Sequence, residues 1–143
     1  MKSHITVLID PSTRNLDTRL REVLEPHQLD EDSSRSIHAH HWDYWHFPSE
    51  ATFDDKVLKK NYPSASDDIL NHACFVRNLP DNYITSGVIC LDGSWIDLQD
   101  FGWRMADEPS AANRKAMEKW MVTLRRLLSE NSDQICVQVI THQ

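Results

Sequence analysis

The spacing of apolar positions along this chain changes several times, and each change marks an element. Ile5-Thr6-Val7-Leu8-Ile9 is β-branched and apolar, and Asp10-Pro11-Ser12 stops it, which predicts a strand. Leu16, Leu20, Val23 and Leu24 then recur on one helical face, and Pro26 ends the run. Residues 28–35 are polar and acidic and read as a loop, with a further strand expected over 36–41. Residues 42–63 follow no period. Ser64-Ala65-Ser66-Asp67 has the form of a capping box opening a short helix to about residue 72. A strand over 73–77 and a turn over 79–83 come next. Residues 84–91 and 94–98 flank Asp92-Gly93, a pair suited to the positive φ angles of a type I′ hairpin. Ala116, Met117, Trp120, Leu124, Leu127 and Leu128 trace a helical stripe, with Asp107 or Glu108 as its cap and Pro109 in its first turn. A strand over 135–141 closes the chain.

Strands that come in runs, with helices scattered between them, predict an α+β fold. The expectation is a single domain over 1–143, a mostly antiparallel sheet with helices packed on one face. At 143 residues, 40% hydrophobic and 26% charged, the chain has the composition of one globular domain. No run approaches the ~18 apolar residues of a membrane span, and the first residues lack the apolar core of a signal peptide. Three glycines supply neither a G-x-G-x-x-G nor a Walker A loop. Cys74, Cys90 and Cys136 lie far apart in apolar runs, which points to packing roles in a reducing compartment.

Fifteen basic against 22 acidic residues give a net charge of −7, which disfavours nucleic acid as a direct ligand. The charge is uneven. Arg114, Lys115, Lys119, Arg125 and Arg126 outnumber Glu118 and Glu130 between Pro109 and Glu130, net +3, which leaves 10 basic and 20 acidic residues, net −10, elsewhere. Asp30, Glu31, Asp32, Asp54, Asp55, Asp67 and Asp68 are the candidates for an acidic face.

The most unusual stretch holds four of the eight histidines within nine residues, at positions 38, 40, 41 and 46. On a strand, His38 and His40 point to one side. With His41 and Asp43 they form a candidate set for Zn²⁺ or another divalent metal, which would support a metal-assisted hydrolase. Of the five tryptophans, Trp42, Trp45 and Trp103 join Tyr44 as a candidate aromatic surface or nucleotide-sequestering pocket, against packing as the ordinary role. The carboxylate pairs, Asp97 with Asp100 among them, read as solvated charge and helix caps. Catalytic residues are not assigned.

Ser3-His4-Ile5-Thr6-Val7-Leu8-Ile9, Trp42-Asp43-Tyr44-Trp45, Leu91-Asp92-Gly93-Ser94-Trp95, Phe101-Gly102-Trp103 and the closing Val139-Ile140-Thr141-His142 occur in an order that resembles a family of small uncharacterised proteins of bacteriophages, prophages and mobile elements. The chain departs from that family's pattern at His46-Phe47-Pro48-Ser49-Glu50, Ile96 and Thr141. The resemblance implies an origin more than an activity: an accessory protein in the cytoplasm of a bacterial host, where such proteins block defence or other host complexes. Together with the acidic balance it favours binding over catalysis. The expected partner is a basic host protein or nucleoprotein complex, such as a CRISPR-type defence complex, met without membrane or cofactor. Self-association is left open. The alternative is the metal-assisted or nucleotide-sequestering use of segment 38–46.

Overall fold

The structure, a computed structural model, describes residues 2–29 and 40–142. Its centre is β1 (Lys2–Ile9), the apolar run that opens the chain. Along one edge β1 pairs antiparallel over its full length with β6 (Ile135–His142), from Lys2 opposite His142 to Ile9 opposite Ile135. Along the other it runs parallel to β4 (Gly87–Ile89), which returns antiparallel as β5 (Trp95–Asp97). The outer edge of β6 carries two short strands end to end, β3 (Ala73–Phe75) and β2 (Tyr44–His46). Four of the five pairings are antiparallel, so the mixed six-stranded sheet keeps the expected α+β character.

Both faces of the sheet are covered, where one was expected. Side chains alternate along a strand. Ile5, Val7 and Ile9 of β1 and Ile135, Val137 and Val139 of β6 therefore face one way. Onto them pack Leu16, Leu20, Val23 and Leu24 of α1 (Leu16–Leu24), Leu58 of α2 (Lys56–Asn61), and Ile69 and Leu70 of α3 (Asp67–Leu70). Leu8, Val88 and Cys136 face the other way, against Trp120, Leu124 and Leu128 of α4 (Ala111–Glu130). Truncating a buried leucine such as Leu124 costs about 2–5 kcal/mol, so either face alone holds a large share of the stability.

Local chemistry sets the boundaries. Asn15, Asp55, Ser66 and Ser110 cap the four helices by accepting N–H bonds from Thr18, Leu58, Ile69 and Asn113. The cap of α4 is thus Ser110, not Asp107 or Glu108, because Pro109 precedes the helix instead of entering it. The hairpin is present, but its turn differs from type I′. Gly93 alone takes the left-handed conformation, at φ +87°, and its N–H bonds to Cys90 O at 2.9 Å, giving a three-residue turn over Leu91, Asp92 and Gly93. Asp92 Oδ1 accepts from both the N–H and the Oγ of Ser94, which pins that geometry. Of the strand expected over 36–41, residues 36–39 lie outside the described residues. His40 is in a turn with φ +77°, which ends any strand there. Among the described residues no helix is long and apolar enough to cross a membrane.

Candidate functional site: a cleft beside α4

On the α4 face the strands change character towards the Lys2 and His142 ends. After Leu8, the same side of β1 presents Thr6 and His4; after Cys136, the same side of β6 presents Gln138. Thr6 and Gln138 are buried, and Tyr83 joins them from the turn before β4. The Tyr83 hydroxyl lies 2.6 Å from Thr6 Oγ1 and donates to Gln138 Oε1. Its single proton is thereby committed, so Thr6 donates to Tyr83. Gln138 Nε2 donates to His4 Nδ1 at 2.9 Å. The chain of bonds thus holds neutral His4 as the tautomer that carries its proton on Nε2. Burial pushes the Tyr83 phenol well above its ordinary value, so it remains a donor throughout the ordinary pH range.

His4 and Gln138 line a cavity of about 320 Å³ with Ile84, Thr85, Met117 and Trp120. A second lobe of about 270 Å³ extends it past Lys2, Ser3, Asp97, Gln99 and Trp103. Ser86, Leu98 and Met117 line both lobes. The back wall is fixed to α4: Trp120 Nε1 donates to Thr85 O at 2.8 Å, and Arg125 donates to Tyr83 O. Thr85 Oγ1 in turn donates to the His4 carbonyl at 2.9 Å. An apolar floor with a few convergent polar groups is the composition of a small-ligand site.

The residues singled out in the sequence are dispersed. Trp42 is buried and donates from Nε1 to Leu24 O at 2.8 Å, a packing role. Trp45 turns to the α1 side of the sheet and meets Phe47 edge-on at 5.4 Å, while its neighbour Tyr44 faces the other side. Tyr44 stacks on His142 at 4.7 Å and on His46 at 6.2 Å. Trp103 alone of the four lines the cleft. The expected joint aromatic surface is therefore not formed.

The acidic candidates are equally divided. Asp55 is buried and accepts from Leu58 N, Phe75 N and Asn78 Nδ2 at 3.0–3.1 Å, so it ties α2 to β3 and presents no charge to solvent. Burial would raise its carboxyl, but these hydrogen bonds outweigh that and hold it below the usual range. Asp54 is exposed and bonded to Lys59 Nζ at 2.8 Å, which lowers its carboxyl. Asp67 and Asp68 are exposed on α3. Asp30, Glu31, Asp32 and His38 lie outside the described residues.

The described members of the expected metal set, His40, His41 and Asp43, also separate. Asp43 bonds through both oxygens to His142 Nδ1, each at 2.8 Å. His41 Nδ1 is buried without a partner among the described residues. The ring of His40 lies instead beside Asp100, its Nε2 2.8 Å from Oδ2, and 3.9 Å from Asp97 Oδ1. Burial raises the Asp97 carboxyl above the usual range, against the opposing pull of the Gln99 N–H and His40.

Sequence reasoning missed Thr6, Tyr83, Ser86, Met117 and Gln138. The available signal was a polar residue inside an otherwise apolar strand, at Thr6 in Ile5–Ile9 and at Gln138 in Ile135–Ile140. No family model, curated protein or solved structure matches the chain.

Proposed function

We propose that the protein acts by binding, and that its ligand site is the cleft beside α4. The ligand class that fits is a small planar molecule with hydrogen-bonding edges, of the nucleotide kind. Trp103 offers a ring face, His4 an N–H donor and Lys2 a cation at the outer lobe. The observation that carries this reading is the chain from Thr6 through Tyr83 and Gln138 to His4. It fixes a donor on the wall of an otherwise apolar cavity. The test is thermal shift and calorimetry with a panel of nucleosides and nucleotides, with mass spectrometry of the small molecules released on denaturing purified protein. A saturable ligand, lost in Met117→Arg with the unfolding midpoint unchanged, supports the reading. No ligand in either experiment refutes it.

A second reading draws on charge. Five of the basic residues sit on α4, over one face of the sheet, and the remainder of the chain carries net −10. That separation favours an accessory protein of the phage or mobile-element kind, in a bacterial cytoplasm, inhibiting a basic host complex. With Asp55 buried and Asp54 paired, Asp67, Asp68 and the 30–32 run are left to carry the contact. Affinity for such a complex must fall steeply with added salt. A flat salt response removes this reading and leaves the cleft untouched.

A further inference from the structure

The turn at His40 places an imidazole against two carboxylates of β5 and the turn that follows it. His40, Asp97 and Asp100 each offer a ligand atom, and these atoms lie within 4.8 Å of one another. From them we infer that His40, Asp97 and Asp100 form a binding site for a divalent transition metal of the Zn²⁺ class. This site shares only His40 with the described members of the set expected in the sequence, since His41 and Asp43 take no part, and it does not rest on the cleft being a ligand site.

The spacing fits. Four donors at Zn–N and Zn–O distances of about 2.0–2.1 Å in a tetrahedron stand roughly 3.3 Å apart. His40 Nε2 is 2.8 Å from Asp100 Oδ2 and 3.9 Å from Asp97 Oδ1, which brackets that value. The carboxylates are already held. Asp100 Oδ2 accepts from Asp97 N, and Asp97 Oδ1 from Gln99 N, each at 2.8 Å. Such outer hydrogen bonds orient metal ligands. His40 is held as well, in a left-handed turn at φ +77°, with its carbonyl 3.1 Å from His27 Nδ1. Its ring lies 5.9 Å from that of Trp95. One imidazole and two carboxylates, with a coordination position left over, suit Zn²⁺ better than the all-oxygen preference of Mg²⁺.

An independent feature points to an occupant. Trp95 is 6% exposed, and its Nε1 is buried with no hydrogen-bond partner among the described residues. A Cβ added to Gly87 would stand 2.9 Å from both Trp95 Nε1 and Asp97 Cβ, so the N–H edge of the indole and the stem of the ligand carboxylate flank the same small space over Gly87. A buried donor without an acceptor calls for one, and a water or oxyanion on the metal would supply it. Asp97 also lines the outer lobe of the cleft, so the open position adjoins that lobe.

The test uses untagged full-length protein, stripped with chelator and titrated with ZnCl₂ by calorimetry and tryptophan fluorescence. Elemental analysis after dialysis gives the stoichiometry, and Co²⁺ gives the visible spectrum of the ligand set. Equimolar Zn²⁺ is expected, with tryptophan emission changing in step and tetrahedral Co²⁺ bands. His40→Gln and Asp100→Asn should each weaken binding by at least about tenfold, whereas His142→Gln and Asp43→Asn leave it unchanged. Asp97→Asn is read beside circular dichroism, since Asp97 also caps a turn; His40→Gln and Asp100→Asn keep the test decisive if that variant unfolds. Substoichiometric metal, or binding that depends on His142 and not on His40, overturns the proposal.

Discussion

Tyr83→Phe is the sharpest probe of the polar chain beneath the cleft. The substitution keeps the ring and removes one oxygen. That oxygen serves two buried groups, Thr6 Oγ1 at 2.6 Å and Gln138 Oε1, on residues that are 0% and 5% exposed. Each group loses its partner and gains no water. Leaving a buried polar group unpaired costs about 1–3 kcal/mol, so two of them should cost about 2–6 kcal/mol together. That is a large share of a total stability of about 5–15 kcal/mol. Its melting point should fall by roughly 3–5 °C for each kcal/mol. Urea denaturation at 25 °C, followed by tryptophan fluorescence, gives the value directly. The triple variant Thr6→Val, Tyr83→Phe, Gln138→Leu supplies the contrast. It removes every polar member at once and should recover much of the loss, since replacing all partners by apolar groups of similar shape is close to neutral. The single variant falling within about 0.5 kcal/mol of the parent would refute the chain, as that is the range of unimportant surface changes. A triple variant at least as unstable as the three single losses summed would refute it too.

Three further outcomes follow from other parts of the fold. The Asp55 carboxyl is held below its ordinary 3.8 in the folded state, so its contribution is present above that value and is lost as pH falls through the folded value; Asp55→Asn should flatten the acid limb of a stability-against-pH curve, and an unchanged limb would refute the role. Gly87→Ala sets a methyl 2.9 Å from Ile5 Cδ1, Asp97 Cβ and Trp95 Nε1, which should cost about 1–3 kcal/mol in urea denaturation; an unaltered midpoint would show that the β4–β5 contact gives way freely. Leu124→Ala, at 0% exposed on α4, should cost about 2–5 kcal/mol, and a change below 1 kcal/mol would mean that α4 is not a full partner of the sheet.

The elements read correctly from the sequence are those whose pattern is local and long enough to repeat. β1, α1, the hairpin and α4 each carry their own period or turn residues. β2 and α2 do not. β2 is three residues whose strand character comes from pairing with β6 almost a hundred positions away, and α2 buries only Leu58. The two-sided covering was legible in principle. Val7 and Leu8, like Cys136 and Val137, put apolar groups on both sides of their strands, a pattern that calls for cover on both faces. The expected metal set left out Asp97 and Asp100 for a backbone reason: alternation along a strand presumes extended geometry, and the left-handed turn at His40 sends its ring to those two carboxylates. Those carboxylates lie some sixty positions away, where no spacing rule reaches.

The polar chain also constrains what the cleft selects. A buried network contributes little net stability compared with an apolar core of the same shape, so its presence needs a reason other than folding. Its directionality supplies one. The protons of Thr6 and Tyr83 run towards Gln138, and the Gln138 amide then fills the lone pair of His4 Nδ1. His4 therefore offers a donor at Nε2 while it remains neutral, and a ligand bound there must bring an acceptor. In His4→Phe, which keeps a planar ring and removes the donor, the affinity should be weaker by calorimetry. A His4→Phe protein that binds the same ligand with the parent's affinity would separate the polar chain from recognition altogether.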